Sequence, residues 1–146
     1  KPMNLQNTHG YPSTRLPLFA RNIVSTSHPL AAQAGGWEAW TPELQAQRLA
    51  EGRPVFVDFT AAWCVTCQFN KRTTLADASL LADMAGKNMA LMRADWTRRD
   101  PAVTQALAGL GRNGVPVYAI YKNGQAPVVL SEVLSVEEVR AALAPL

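Results

Sequence analysis

The stretch Pro54–Thr60, PVFVDFT, most limits what this chain can become. Its Val and Phe residues run almost without a break, at strand length, directly after a proline. Such a run reads as a buried strand rather than a half-exposed one. A buried strand needs cover on both of its faces, and helical signals flank it on either side. Thr41-Pro42 reads as an N-cap followed by a first helical position, with Gly52 closing that helix. A second helix is expected from about Cys64 to the Thr73–Leu75 region, with a further turn or two capped by Asp77.

The pattern continues down the chain. Met89–Asp95 reads as a strand, and Asp100-Pro101 opens a helix with Val103, Leu107 and Leu110 on one face. Gly111–Gly114 ends it. Val117–Tyr121 and Ala126–Leu130 read as strands joined through Lys122-Asn123-Gly124, a hairpin signal. Ser135 with Glu138 forms a capping box for a last helix with a Val136, Val139, Leu143 stripe. The expected order is α-β-α-β-α-β-β-α. Its first part favours parallel pairing and its end an antiparallel hairpin. The fold class is therefore α/β, with a central mixed β-sheet flanked by helices. Trp37 and Trp40 are expected to staple the first helix to the sheet.

Two regions follow from composition. Residues 1–36 hold Pro2, Pro12, Pro17 and Pro29 and no hydrophobic period, which predicts an irregular linker or terminal extension. Residues 37–146 form the predicted domain. The net charge of +3 belongs to the first region, which carries Lys1, Arg15 and Arg21 and no acid. The second has 11 basic and 11 acidic residues. With no basic face expected there, nucleic acid is not a predicted partner. Lys71-Arg72 and Arg98-Arg99 are expected to be solvated surface. No run approaches the roughly 18 apolar residues of a membrane helix. A start at Lys1 rather than Met predicts a processed product or an excised fragment.

Cys64 and Cys67 are the chain's two cysteines. A zinc site needs about four ligands. The two histidines, His9 and His28, lie far upstream in the proline-rich tract, so no metal is expected. A structural disulfide is a weak reading as well, because so small a loop restricts little of the unfolded chain. Position favours a working pair. Cys64 follows the buried strand at the start of a helix, where unpaired N–H groups and the helix dipole stabilise a thiolate. Cys67 lies one turn deeper, close enough to close a disulfide and to resolve a mixed one.

Two more features bear on this pair. Asp58 lies on the strand between Val57 and Phe59. If buried, its pKa rises, and it can take the proton of Cys67; the alternative is an acid at the strand end pointing to solvent. Val115-Pro116 puts a proline directly before a strand. A cis bond there would suit a tight turn beside the thiols and leave the Val115 backbone free for a partner's extended chain. An ordinary trans proline at a strand start is the other reading.

Taken together, "VFVDFTAAWC", the C-x-x-C pair and "GVP" before the hairpin resemble the thioredoxin superfamily in order and spacing. Within it, "WCVTCQFNKRTTL", "ADWTRRDPAV" and "GRNGVPVYAIY" resemble the C-terminal domain of the DsbD family of membrane thiol:disulfide interchange proteins. The resemblance implies a thioredoxin fold over about residues 37–146 and a protein-disulfide reductase. It implies Cys64 as the attacking thiol, Cys67 as the resolving thiol, Asp58 as the buried acid and Pro116 as a cis-proline. Trp63, Val65, Thr66, Val115 and Pro116 would contact partners. The redox-active Cys64–Cys67 disulfide would serve in place of any cofactor. In that family the domain takes electrons from the membrane domain and passes them to an N-terminal periplasmic domain, feeding isomerases and cytochrome c maturation. That places this chain in the periplasm, as part of an inner-membrane protein joined to the membrane through a tether outside the chain. Well-known members carry an acid four positions after the second cysteine; here that residue is Lys71. Other readings of the same fold are a standalone disulfide isomerase or oxidase, or a redox-inert binding module.

Overall fold

The computed structural model describes residues 32–33 and 36–146, and most of the predicted extension lies outside them. The elements run β1 (Ala32–Gln33), β2 (Trp37–Ala39), α1 (Pro42–Ala50), β3 (Val55–Thr60) and α2 (Val65–Arg72). A 3-10 turn at Thr74–Ala76 leads into α3 (Ala78–Gly86), β4 (Ala90–Asp95) and α4 (Pro101–Gly109). β5 (Val117–Tyr121), β6 (Val128–Val129) and α5 (Val136–Leu143) complete the fold. The six strands form one sheet in the order β1-β2-β4-β3-β5-β6. β4 is parallel to β2 and β3, while β5 is antiparallel to β3 and β6 to β5. This is the mixed α/β arrangement expected from the order of signals.

All six residues of β3 are buried, because helices cover both faces of the sheet. Phe56 faces a core with Leu80, Met84, Tyr118, Ile120 and Val139, under α3 and α5. Val55, Val57 and Phe59 face the other core, with Met92, Val103, Leu107 and Val117, under α4. Burying each of the large side chains contributes about 1.5–3 kcal/mol. This alternation also decides where Asp58 points. It shares the Phe56 face of β3, the side on which α2 and α3 lie.

The helix starts follow their caps. The Leu44 amide donates to Thr41 Oγ1 (3.0 Å) ahead of Pro42. Asp77 accepts from the Leu80 amide (2.8 Å), and Asp100 from Ala102 and Val103. Ser135 accepts from the Glu138 amide, but Glu138 Oε1 takes the Ser131 amide (2.7 Å), not that of Ser135. Only half of the capping box is local; the other half pins the loop before the helix.

Four elements differ from expectation. Trp37–Ala39 is a strand, too short for a two-residue period to declare itself. Its tryptophan and Trp40 pack on opposite faces of the sheet, Trp37 edge-on to Phe56 at 6.0 Å and Trp40 against Phe59 at 6.1 Å. Trp40 also donates to Gln45 in α1 (2.7 Å), so it alone makes the stapling contact. Ala32 and Gln33 pair with Glu38 and Trp37 and add an edge to the sheet. The turn after Asp77 is a full nine-residue helix. β6 shrinks to Val128–Val129, since Pro127 has no N–H to lend the ladder. Gly124 takes a positive φ of 73° in the hairpin loop, where a side chain would be strained.

Candidate active site

β3 ends at Thr60, and the chain reaches α2 across four residues. The Cys64 amide donates to Ala61 O (3.1 Å), closing that turn. Cys64 is the N-cap of α2, and its sulfur accepts the Cys67 amide at 3.2 Å. Cys64 and Cys67 are joined as a disulfide, with Cα atoms 5.2 Å apart. Cys67 is fully buried, whereas Cys64 keeps 7% of its surface exposed. In the reduced state, the same N–H and the helix N-terminus favour negative charge on Cys64 Sγ. The less buried cysteine of the pair is thus also the one the backbone favours as a thiolate.

Val115 packs against the disulfide together with Ala61. The Val115-Pro116 bond is cis, which settles the alternative the sequence left open. Among the described residues, no hydrogen bond engages the Val115 N–H or C=O. On the other side, Trp63 is half exposed, with its indole N–H donating to Thr97 O (3.1 Å). Buried Trp96 lies beneath it, 6.0 Å between centroids, and is itself fixed by Thr104. Val65 is 82% exposed on the first turn of α2 and Thr66 is half buried. Of these residues Val115 packs on the disulfide, while Trp63, Val65 and Thr66 adjoin its cysteines along the chain.

Asp58 is completely buried, which excludes the solvent-facing alternative. Register places Arg93 and Tyr118 directly beside it on β4 and β5, in one row on the α2 face. Arg93 Nε approaches Asp58 Oδ2 at 3.4 Å, and Oδ1 accepts no hydrogen bond from the protein. Burial pushes the carboxyl up to about 6, against the pull of Lys71 and Arg93. Lys71 stands one turn beyond Cys67 on the same stripe of α2. It is half buried, which corrects the expectation of solvated surface at Lys71, while Arg72 is exposed as expected. Burial lowers the Lys71 pKa, and the Asp58 charge raises it in part. A cleft of about 260 Å3 lined by Thr60, Gln68, Lys71, Arg93, Asp95 and Thr97 brings solvent to the two cations beside the buried carboxyl.

Three residues the sequence reading did not single out complete the site. Thr97 accepts the Ala62 amide (2.8 Å) and so fixes the loop between β3 and Cys64. Arg93 could have been found by pairing β3 with β4 in parallel register. Asn70 carried no sequence signal. It is fully buried, donates to Tyr118 Oη and Glu132 O (both 2.8 Å), and accepts the Leu134 amide (3.2 Å). It ties the active-site helix to the loop before α5. Asn70→Leu strands those three groups, and we expect a loss of about 2–4 kcal/mol in urea unfolding.

Among the described residues, no group of three His, Cys, Asp or Glu side chains is placed to hold a metal ion. His9 and His28 lie outside those residues. No helix among the described residues is long and apolar enough to cross a membrane.

Residues 36–123 match the family model described as thioredoxin-like. A curated relative, the thiol:disulfide interchange protein DsbD of Campylobacter jejuni, is 22% identical over 130 residues, covering 88% of this chain and 22% of that protein. The DsbD of Ralstonia nicotianae is 36% identical over 81 residues, covering 54% of this chain and 13% of its own length. The chain thus spans less than a quarter of these relatives. Among solved structures, the oxidised C-terminal domain of Neisseria meningitidis DsbD superposes with a TM-score of 0.60 at 22% identity, covering 71% of this chain and 93% of that one. A thioredoxin from Thermus thermophilus gives 0.60 at 19% identity, covering 75% and 84%. Sheet order, the cysteine pair at the helix start and the matched family model agree: this chain belongs to the thioredoxin-like family.

Proposed function

We propose that this chain is a thiol-disulfide oxidoreductase domain, a protein-disulfide reductase that relays electrons by disulfide exchange. It would take them from a membrane-embedded domain and give them to a periplasmic partner domain of a DsbD-type protein. One observation carries the chemistry: Cys64 is reachable at a helix N-terminus while Cys67 is sealed behind it. The relay rests on the DsbD relatives, as does a periplasmic setting within an inner-membrane protein.

In the reducing direction, the Cys64 thiolate attacks one sulfur of a partner disulfide. A Cys64–partner disulfide forms, and the other partner sulfur leaves as a thiolate. Cys67 then passes its proton to ionised Asp58, and the Cys67 thiolate attacks Cys64 Sγ. The Cys64–Cys67 disulfide closes, and the second partner sulfur leaves. Two electrons have moved to the partner, and the proton on Asp58 returns to solvent through the cleft beside Lys71. Trp63, Val65, Thr66 and the free Val115 backbone would hold the partner's extended chain against the pair.

Replacing Cys67 with Ser stops the second step and tests the relay. With the oxidised N-terminal domain of a DsbD-type protein, Cys67→Ser should accumulate a mixed disulfide on Cys64 that dithiothreitol releases. Capture of only unfolded, disulfide-scrambled proteins would replace the relay with a standalone isomerase or oxidase. A Cys64 thiol that captures neither, and alkylates no faster than free cysteine, would make this a redox-inert binding module.

A further inference from the structure

Eight arginines lie among the described residues, and they divide by position. Arg48 pairs with Glu38 and Glu51, Arg53 with Glu51, Arg93 with Asp58 and Arg140 with Asp83. Arg72, Arg98, Arg99 and Arg112 form no ion pair among the described residues, and all four are exposed. These four stand at the disulfide end of the molecule. Arg72 lines an apolar groove of about 360 Å3 with Trp63, Val65 and Phe69, two of which are half exposed and Val65 more so. Arg99 lies over the Trp63 and Trp96 rings, at 5.6 and 4.7 Å. Arg98 adjoins it and acts on the Asp95 carboxyl. Arg112 lines the cleft at Val115-Pro116.

The acids of this face keep their charge but form no ion pair with these four arginines among the described residues. Asp95 takes its hydrogen bonds from Thr97, and Asp100 from the first amides of α4. Glu132 shares the Pro116 cleft with Arg112 without forming an ion pair with it. A domain with balanced charge overall therefore turns unpaired cations toward its redox partner, around an apolar groove. Exposed arginines beside an exposed apolar and aromatic surface suit carboxylates, which they can bind bidentately.

We propose that the disulfide face selects protein partners whose reactive disulfide is flanked by Asp or Glu, with an apolar side chain seated in the Trp63–Phe69 groove. This rests on the thiol-disulfide reading above and adds to it the class of substrate. The chemistry is the exchange already described: the partner disulfide becomes two thiols as Cys64 and Cys67 join. The arginines change how fast the right partner arrives and how it is held.

Two synthetic peptides test this. Each carries one internal disulfide and a Leu beside it, with flanking Glu in one and Lys in the other. Neutral hydroxyethyl disulfide serves as reference for every enzyme form. At low ionic strength the reduced domain should reduce the Glu peptide about tenfold or more faster than the Lys peptide. The ratio should shrink toward one at about 0.5 M salt. The double variant Arg72→Glu, Arg99→Glu should lose or invert the ratio. Lys122→Glu should keep it, because Lys122 follows β5 at the far end of the sheet, where Tyr121 pairs with Val55. Equal rates on the two peptides, with hydroxyethyl disulfide reduced normally, overturn the selectivity alone. Failure to reduce any of the three disulfides overturns the thiol-disulfide reading, and the selectivity falls with it.

Discussion

Cys64→Ser should lose at least about a thousandfold of disulfide-reducing activity, and it should do so without unfolding. The loss follows from geometry. Cys67 is fully buried, so it cannot meet a partner's sulfur, and serine at position 64 is too weak a nucleophile to replace a thiolate. Losses of this order are usual when a nucleophile is removed. The fold should survive for two reasons. The Cys64 sulfur caps α2 by accepting the Cys67 amide, and a serine hydroxyl is a preferred N-cap that can accept the same bond. The disulfide also spans a sequence separation of three, so opening it frees little of the chain. Insulin-disulfide turnover and far-ultraviolet circular dichroism separate the two effects. Retained turnover would show that another group attacks.

The strand that most constrains the fold was legible because burial on both faces leaves a continuous apolar run, broken in β3 only by Asp58 and Thr60. Helix starts were legible where a cap and a proline coincide, as at Thr41-Pro42 and Asp100-Pro101. The β2 strand was not, because three residues carry no period, and its parallel partner β4 lies some fifty residues away. Distance along the chain also hides Arg93, 35 residues after Asp58. Nothing near Asp58 in sequence announces an arginine that only strand register brings alongside it. Asn70 is hidden for a related reason, since its partners Tyr118, Glu132 and Leu134 come from late in the chain. Charge shows the limit most plainly. A sum over residues 37–146 is zero, yet the fold pairs Glu38, Glu51, Asp58 and Asp83 with four other arginines and leaves Arg72, Arg98, Arg99 and Arg112 without an ion pair among the described residues. The cysteine pair and its acid, by contrast, sit within ten residues of one another, so local spacing was enough to group them.

Asp58→Asn should raise stability near pH 7 and slow the resolving step, and the two effects should part company with pH. The wild-type carboxyl titrates at about 6 in the fold, above an ordinary value of 3.8, chiefly because it is buried. Between these values the native state holds the proton that the unfolded chain has released. Stability therefore falls as pH rises from about 4 to about 6, and the deficit stays constant above that. A shift of roughly two units corresponds to about 3 kcal/mol. Asparagine carries no charge to desolvate, so Asp58→Asn should recover about 1–3 kcal/mol at pH 7 in urea unfolding and nothing at pH 4. Lys71 and Arg93 lose their counterion in the variant, but both are partly exposed, and Arg93 remains over the Trp37 ring at 4.3 Å. Activity should move the other way. Removing a positioned proton acceptor costs about a hundredfold, and the wild-type resolving rate should rise through pH 6 as Asp58 ionises, a limb the variant lacks. Rapid-quench measurement of Cys64–partner disulfide decay reads that step directly. A variant that is more stable, yet resolves at the wild-type rate with an unchanged pH profile, would leave Asp58 as a buried burden and send the Cys67 proton by another route.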